Sequence, residues 1–141
     1  ILKNNPRSYL FRLRIPFDQF KSRRNYLTKL MSYDKLLNME NSLTHRGDFS
    51  KYVIDLLEKK APHGIYNIAN KGSVTTKDVT ELIKKYHLSN NDFIFFDDLS
   101  SFCRETVAPR SNCVLDTTKI EQHIKIRSVT EALEEAIINY K

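Results

Sequence analysis

The stretch GIYNIANKGSVTTKDVTELIKKY, from Gly64 to Tyr86, decides the fold class. Its first part, GIYNIAN (Gly64–Asn70), is a β-rich run set between the His63–Gly64 turn and the Gly72–Ser73 pair. Its second part, TTKDVTELIKKY, reads as a capped helix, because Val79, Leu82, Ile83 and Tyr86 fall on one face at helical spacing. A strand that hands over directly to an amphipathic helix is the building unit of α/β and α+β domains.

The alternation extends upstream. Tyr9–Ile15 interleaves aromatic and aliphatic residues with Arg12 and Arg14 and meets Pro16, which reads as a strand stopped by the proline. Phe17–Arg24 is a basic loop without periodicity. NYLTKLMSY (Asn25–Tyr33) carries Tyr26, Leu27, Leu30 and Met31 at helical spacing. Leu36–Met39 reads as a short strand and Glu40–Arg46 as a polar loop. Gly47 and Asp48 mark the start of a helix with Phe49, Val53, Leu56 and Leu57 on its apolar face.

Downstream, Phe93–Phe96 is a compact apolar strand and Asp97–Thr106 a polar connection. VAPRSNCVLDTTK (Val107–Lys119) follows. There Pro109 fixes the backbone before Arg110, whose planar fork of donors suits a phosphate or a carboxylate. Ser111 and Asn112 add neutral donors and acceptors, and Asp116 is expected to cap a helix from Thr117. Read alone, Arg110 fits an anion contact and an ordinary solvated arginine in a turn equally well. The last helix, Ser128–Tyr140, opens with a Ser128–Glu131 capping box and buries Val129, Ala132, Leu133, Ala136, Ile137 and Tyr140. In total this is roughly four strands and five helices, part of a doubly wound sheet rather than a whole one.

A hydrophobic content of 40% over 141 residues fits one folded domain. No apolar run approaches a membrane span and no charged-then-apolar leader opens the chain, so a soluble, cytoplasmic protein is expected. The chain begins at Ile1 without Met, which points to a piece of a longer protein or a processed product. Cys103 and Cys113 form no CxxC and have no clustered His partners, so two buried or half-buried free thiols are expected and no metal site. The net charge of +6 comes mainly from Arg7, Arg12, Arg14, Lys21, Arg23 and Arg24. Such a cluster suits a small anion such as a diphosphate. With Tyr9, Phe11 and Phe20 as stacking groups, it also suits a basic nucleic-acid-binding module.

The order of motifs adds a resemblance. RLRIP, RNYLTK, NSLT, GIYNIAN-x-G-x-x-T and APRSNCVLDTTKI, closed by an amphipathic helix, resemble the C-terminal half of extended short-chain dehydrogenases. The similarity runs from about Tyr9 to Tyr140 and is to the nucleotide-sugar branch around dTDP-4-dehydrorhamnose reductase and the bifunctional 3,5-epimerase/4-reductases that make UDP-rhamnose. It implies an α/β fold in which residues 1–16 end the cofactor-binding sheet of a Rossmann-like half. Residues 17–141 would form the nucleotide-sugar portion, and the N-terminal NAD(P)-binding half would lie outside the chain. Arg14, Ile15 and Pro16 would lie against the nicotinamide of NADPH (or NADH) in the complete enzyme. Arg24, Asn25, Tyr26, Asn41, Arg110 and Asn112 would face a UDP- or dTDP-4-keto-6-deoxy sugar, and Lys29 would be the acid of the epimerisation. A proton donor beside a ketone works best with a pKa near the working pH, which a lysine reaches when burial or nearby charge lowers it.

The resemblance implies no nucleic-acid or membrane partner and leaves room for a homodimer in the complete enzyme. It assigns no role to His45, His63, His87 or His123, which read as surface or helix-end residues. The three glycines, Gly47, Gly64 and Gly72, make no dinucleotide-binding loop. None of the seven tyrosines has a lysine four residues later, so the family's Tyr-x-x-x-Lys pair is missing as well. A non-catalytic, nucleotide-sugar-binding remnant would show the same gaps.

Overall fold

The computed structural model describes residues 7–107 and 111–141. Four two-stranded sheets and six helices alternate along it. β1 (Tyr9–Arg12) pairs in parallel with β6 (Gly64–Asn67), placing Phe11 opposite Tyr66. β2 (Pro16–Phe17) pairs in parallel with β5 (Thr44–His45), and β3 (Lys35–Leu36) with β8 (Ile94–Phe95). β4 (Glu40–Asn41) runs antiparallel to β7 (Val74–Thr75). The fold is mixed α/β, as the alternation predicts, and its parallel pairs join strands remote in sequence. Among the described residues, no helix is long and apolar enough to cross a membrane.

The helices follow their sequence signals where caps are explicit. Thr75 and Asp78 form a reciprocal capping box, with Asp78 N–H donating to Thr75 Oγ1 at 3.1 Å and Thr75 N–H to Asp78 Oδ2 at 2.8 Å. They start α3 (Thr76–Lys85), whose Val79 and Ile83 are fully buried. Ser128 and Glu131 do the same for α6 (Val129–Ile138), and α3 packs on α6. With α1 (Tyr26–Ser32) these helices enclose one apolar core around Phe17, Leu27, Leu43, Val79 and Leu133. A second core lies between α2 (Arg46–Glu58), β6 and α5 (Thr118–Glu121), around Leu56, Tyr66, Ile68 and Ile120.

Several expectations are corrected. The strand from Tyr9 ends at Arg12, and Pro16 belongs to the next strand. Glu40–Arg46 is not simply a loop, because it supplies β4 and β5 and runs into α2 at Arg46 with His45 as N-cap. The buried face of α2 is Phe49, Tyr52, Val53 and Leu56, whereas Leu57 is 48% exposed, since a residue eight positions past Phe49 lies at the edge of a stripe centred on Tyr52. Asp97–Thr106 contains α4 (Leu99–Glu105), started by Asp98 and Ser101. The apolar face of α4 is little more than Phe102, too short to register as a period. Asp116 does accept the Thr118 N–H at 2.8 Å, but α5 is a single turn and Thr117 is its cap residue. Cys113 is half-buried as expected, while Cys103 is exposed, and both are free thiols.

A polar network joins the two cores. Arg127 Nε donates to Asp48 Oδ2 at 2.6 Å, and its Nη1 pairs with Glu135 on α6. Asn70 Nδ2 donates to the same Asp48 oxygen at 2.6 Å, while Asn70 Oδ1 accepts the His45 N–H at 2.7 Å. Tyr52 takes the Arg127 N–H on its hydroxyl at 2.9 Å. Burial pushes the Asp48 carboxyl up, but hydrogen bonds from His45, Arg127 and Asn70, with the Arg127 charge, outweigh it and hold the group at about 2. As pH falls below the ordinary 3.8, the unfolded chain takes up a proton that folded Asp48 refuses. Stability is therefore lost between about pH 4 and pH 2, by on the order of 2 kcal/mol from this group. In urea titrations across that range Asp48→Asn should start less stable and lose most of this pH dependence. An unchanged slope would separate the network from the acid transition.

Candidate functional site

The end of β1 shapes one wall of a cavity. Ile15 has φ of +42°, a left-handed conformation that a β-branched residue adopts only under constraint. Thr44 supplies that constraint from β5: its Oγ1 accepts the Arg14 N–H at 3.1 Å, and its own N–H donates to the Ile15 carbonyl at 3.3 Å. The Thr44 hydroxyl in turn donates to the Ile68 carbonyl at 3.0 Å, so the bend is anchored in the core beyond β6. This kink ends β1 three residues short of Ile15 and turns Arg14, Ile15 and Pro16 towards a cavity of about 270 Å³.

The opposite wall comes from α1. Asn25 caps it through Oδ1, which accepts the Leu27 N–H at 3.0 Å, while its amide donates to the carbonyls of Asp18 and Phe20 at 2.8 Å each. Buried Asp18 also binds Arg46 at 2.8 Å, and the C-terminal residue joins in, with Lys141 N–H donating to the Gln19 carbonyl at 2.9 Å. So fixed, the helix and its approach present Arg24, Tyr26 and Lys29 to the cavity. Burial raises the Tyr26 phenol above its usual range, with a hydrogen bond to Thr76 working the other way, so it stays protonated and can donate. Thr76, at the start of α3, is another wall residue.

Arg14, Arg24, Lys29 and Lys35 all line the cavity, and among the described residues no carboxylate does. Glu105 meets Lys35 at 3.2 Å from α4, but both side chains are about half exposed, where such a pair is weak. Four cations around one concave apolar surface focus a positive potential on any anion that enters. The apolar part of the lining includes Leu30, Leu36, Leu37, Met39 and Phe102, the last held edge-on to Phe96 with ring centroids 5.3 Å apart.

Of the residues expected at a site, the structure brings together Arg14, Ile15, Pro16, Arg24, Tyr26, Lys29 and Asn41. Asn25 is not on the lining: it is 2% exposed, and both ends of its amide serve the loop and helix cap that carry Arg24 and Tyr26. Asn112 is exposed and outside the lining, whereas its neighbour Ser111 is on it. Arg110 lies outside the described residues. Lys35, Tyr33, Thr76 and Phe102 were not legible as site residues. For Phe102 an aspartate followed three residues later by serine was the available signal, a cap at Asp98 ahead of an aromatic residue.

No family model matches the chain. It is 30% identical over 135 residues to the bifunctional dTDP-4-dehydrorhamnose 3,5-epimerase/dTDP-4-dehydrorhamnose reductase of Arabidopsis thaliana, covering 94% of this chain and 44% of that protein. It is 28% identical over 136 residues to a trifunctional UDP-glucose 4,6-dehydratase/UDP-4-keto-6-deoxy-D-glucose 3,5-epimerase/UDP-4-keto-L-rhamnose-reductase of the same plant, covering 94% of this chain and 20% of that protein. The chain thus spans less than half the length of these curated relatives, and the part matched is C-terminal. Among solved structures it superposes on the UDP-rhamnose synthase of Acanthamoeba polyphaga mimivirus with a TM-score of 0.83 at 24% identity, over 92% of this chain and 45% of that one. On dTDP-4-dehydrorhamnose reductase of Bacillus anthracis, in complex with NADP, the TM-score is 0.73 at 16% identity, over 92% and 48%. The fold is that of the C-terminal portion of an extended short-chain dehydrogenase.

Phe102 is the main apolar anchor of α4 on the cavity. Phe102→Ala should cost about 3 kcal/mol locally. The loss should appear as faster proteolysis within residues 97–107, with little change in the melting temperature of the two main cores. A drop in that melting temperature without new cleavage there would contradict this placement.

Proposed function

We propose that this chain is the nucleotide-sugar-binding portion of an NAD(P)H-dependent 3,5-epimerase/4-reductase of UDP-rhamnose or dTDP-rhamnose synthesis, acting in the cytoplasm. One observation carries the reading: among the described residues the cavity is lined by four cations and no carboxylate, with the protonated phenol of Tyr26 and the side chain of Lys29 on the same helix. The cations suit the diphosphate of a UDP- or dTDP-4-keto-6-deoxy sugar, and the apolar lining suits its less polar parts. Similarity over nearly the whole chain to epimerase/reductases of these sugars supports the same substrate class.

The chemistry asks for groups that this wall supplies in part. Epimerisation removes the proton on a carbon beside the C4 ketone, leaves an enolate, and returns a proton from the opposite face. Lys29 would deliver that proton, and Tyr26 would donate a hydrogen bond to developing negative charge. Arg14, Ile15 and Pro16 fit one edge of a nicotinamide, since the kink at Ile15 holds the backbone against the cavity. When bound, NAD(P)H supplies the hydride for the ketone. The glycine-rich loop and Tyr-x-x-x-Lys pair it needs are absent from this sequence and would belong to a joined cofactor-binding half. Such a complete enzyme could form a homodimer through that half.

Two of the three stacking groups of the nucleic-acid-module reading, Tyr9 and Phe11, pack on each other and on Tyr66 against the second core, which leaves Phe20 as its exposed aromatic ring. In calorimetry the chain should bind UDP, and Arg24→Ala should weaken it by roughly 1–2 kcal/mol. Lys29→Arg keeps the charge but gives up an exchangeable catalytic proton. When the chain is joined to its cofactor-binding half, this variant should retain UDP binding and lose solvent-deuterium incorporation at C3 and C5 of the keto sugar. Full incorporation by Lys29→Arg would remove Lys29 from the mechanism. UDP binding without any incorporation by the unaltered enzyme would favour a non-catalytic binding protein.

A further inference from the structure

We propose that Asn41 is a positioning residue that holds the Arg14 wall of the cavity in register with the Ser111–Leu115 segment; this role rests on the nucleotide-sugar reading of that cavity. Asn41 is 8% exposed, and its Oδ1 accepts three donors: Arg14 Nη2 at 2.8 Å, Arg14 Nε at 3.3 Å and the Cys113 N–H at 3.0 Å. Arg14 Nη2 also reaches the Ser111 carbonyl at 2.7 Å, which closes the connection from the other side. Beside it, Ser42 N–H donates to the Cys113 carbonyl at 3.1 Å and Ser42 Oγ accepts the Leu115 N–H at 2.9 Å. The backbone of Asn41 is itself fixed, paired with Val74 across β4 and β7 and bridged to Cys113.

One buried oxygen thus answers two parts of the chain that are remote in sequence. A ligand anion drawn to Arg14 changes the charge felt by that oxygen, and the oxygen holds the Cys113 amide. Occupancy of the cavity would therefore tighten the Ser111–Leu115 segment, and the segment's order would favour occupancy, since coupling between two sites is reciprocal. Only an acceptor at this position serves both donors. Alanine leaves a half-buried amide and a guanidinium without it, whereas aspartate keeps the acceptor while adding negative charge to a cation-lined cavity.

The test is amide hydrogen exchange at Cys113 and Leu115, with and without UDP, in the unaltered chain, Asn41→Ala and Asn41→Asp. In the unaltered chain UDP should slow both amides. Asn41→Ala should exchange at Cys113 roughly tenfold faster and lose the response to UDP, with UDP affinity down by about tenfold. Asn41→Asp should restore slow exchange without ligand while binding UDP more weakly. Should alanine fail to fold, Asn41→Ser provides the same comparison with a shortened acceptor. If UDP still slows the segment and binds normally when Asn41 is alanine or serine, Asn41 is a structural stitch only and the proposal is overturned. If the unaltered chain binds no UDP, the nucleotide-sugar reading fails and this role fails with it.

Discussion

The Arg127 guanidinium, held between Asp48 on α2 and Glu135 on α6, ties the helices of the two apolar cores together. The chain builds two apolar cores, and neither contains the whole of the cavity wall. Asp48, Asn70, His45 and Arg127 lock the cores together through charge-assisted bonds, with most of their lone pairs and donors satisfied. A partly buried ion pair of this kind adds little over apolar packing, yet removing one partner costs about 3 kcal/mol or more, because a charge is left unanswered. Its value here is geometric. Asn70, bound to both Asp48 and the His45 N–H, ties β5 to the segment after β6, and from β5 Thr44 holds the left-handed turn at Ile15 beside the cavity.

The cavity is then the meeting point of segments that each do a structural task elsewhere. Asn25 caps α1 and gathers the Asp18 loop, and in doing so presents Arg24 and Tyr26. Residues that look like ligand contacts in a linear sequence therefore divide into those that face the cavity and those that hold them there. Asn25 belongs to the second group, and Asn41 stands between the two. The common result is a concentration of positive charge whose one carboxylate partner among the described residues, Glu105 on Lys35, is half exposed, a costly arrangement for stability alone and a useful one for an anionic ligand.

Much of this was legible from local signals. Thr75 with Asp78 and Ser128 with Glu131 declare their helices, since a cap oxygen and its reciprocal partner sit at fixed spacing. RNYLTK places Arg24, Tyr26 and Lys29 on and beside one short helix, so their convergence needed only the helix. The strands were harder. Six of them are two residues long, too short for a period, and they are defined by partners remote in sequence. α4 was hidden because one aromatic residue, Phe102, carries its burial. The dual use of the Asn41 oxygen depends on a contact with Cys113 that no linear spacing reveals.

The decisive measurement is a crystal structure of the chain with UDP. The diphosphate should lie inside the cavity, within hydrogen-bonding distance of Arg24 and of at least one of Arg14, Lys29 and Lys35. A diphosphate seated instead on the surface groove of Lys59, Lys71 and Lys125, with the cavity left to solvent, would contradict it.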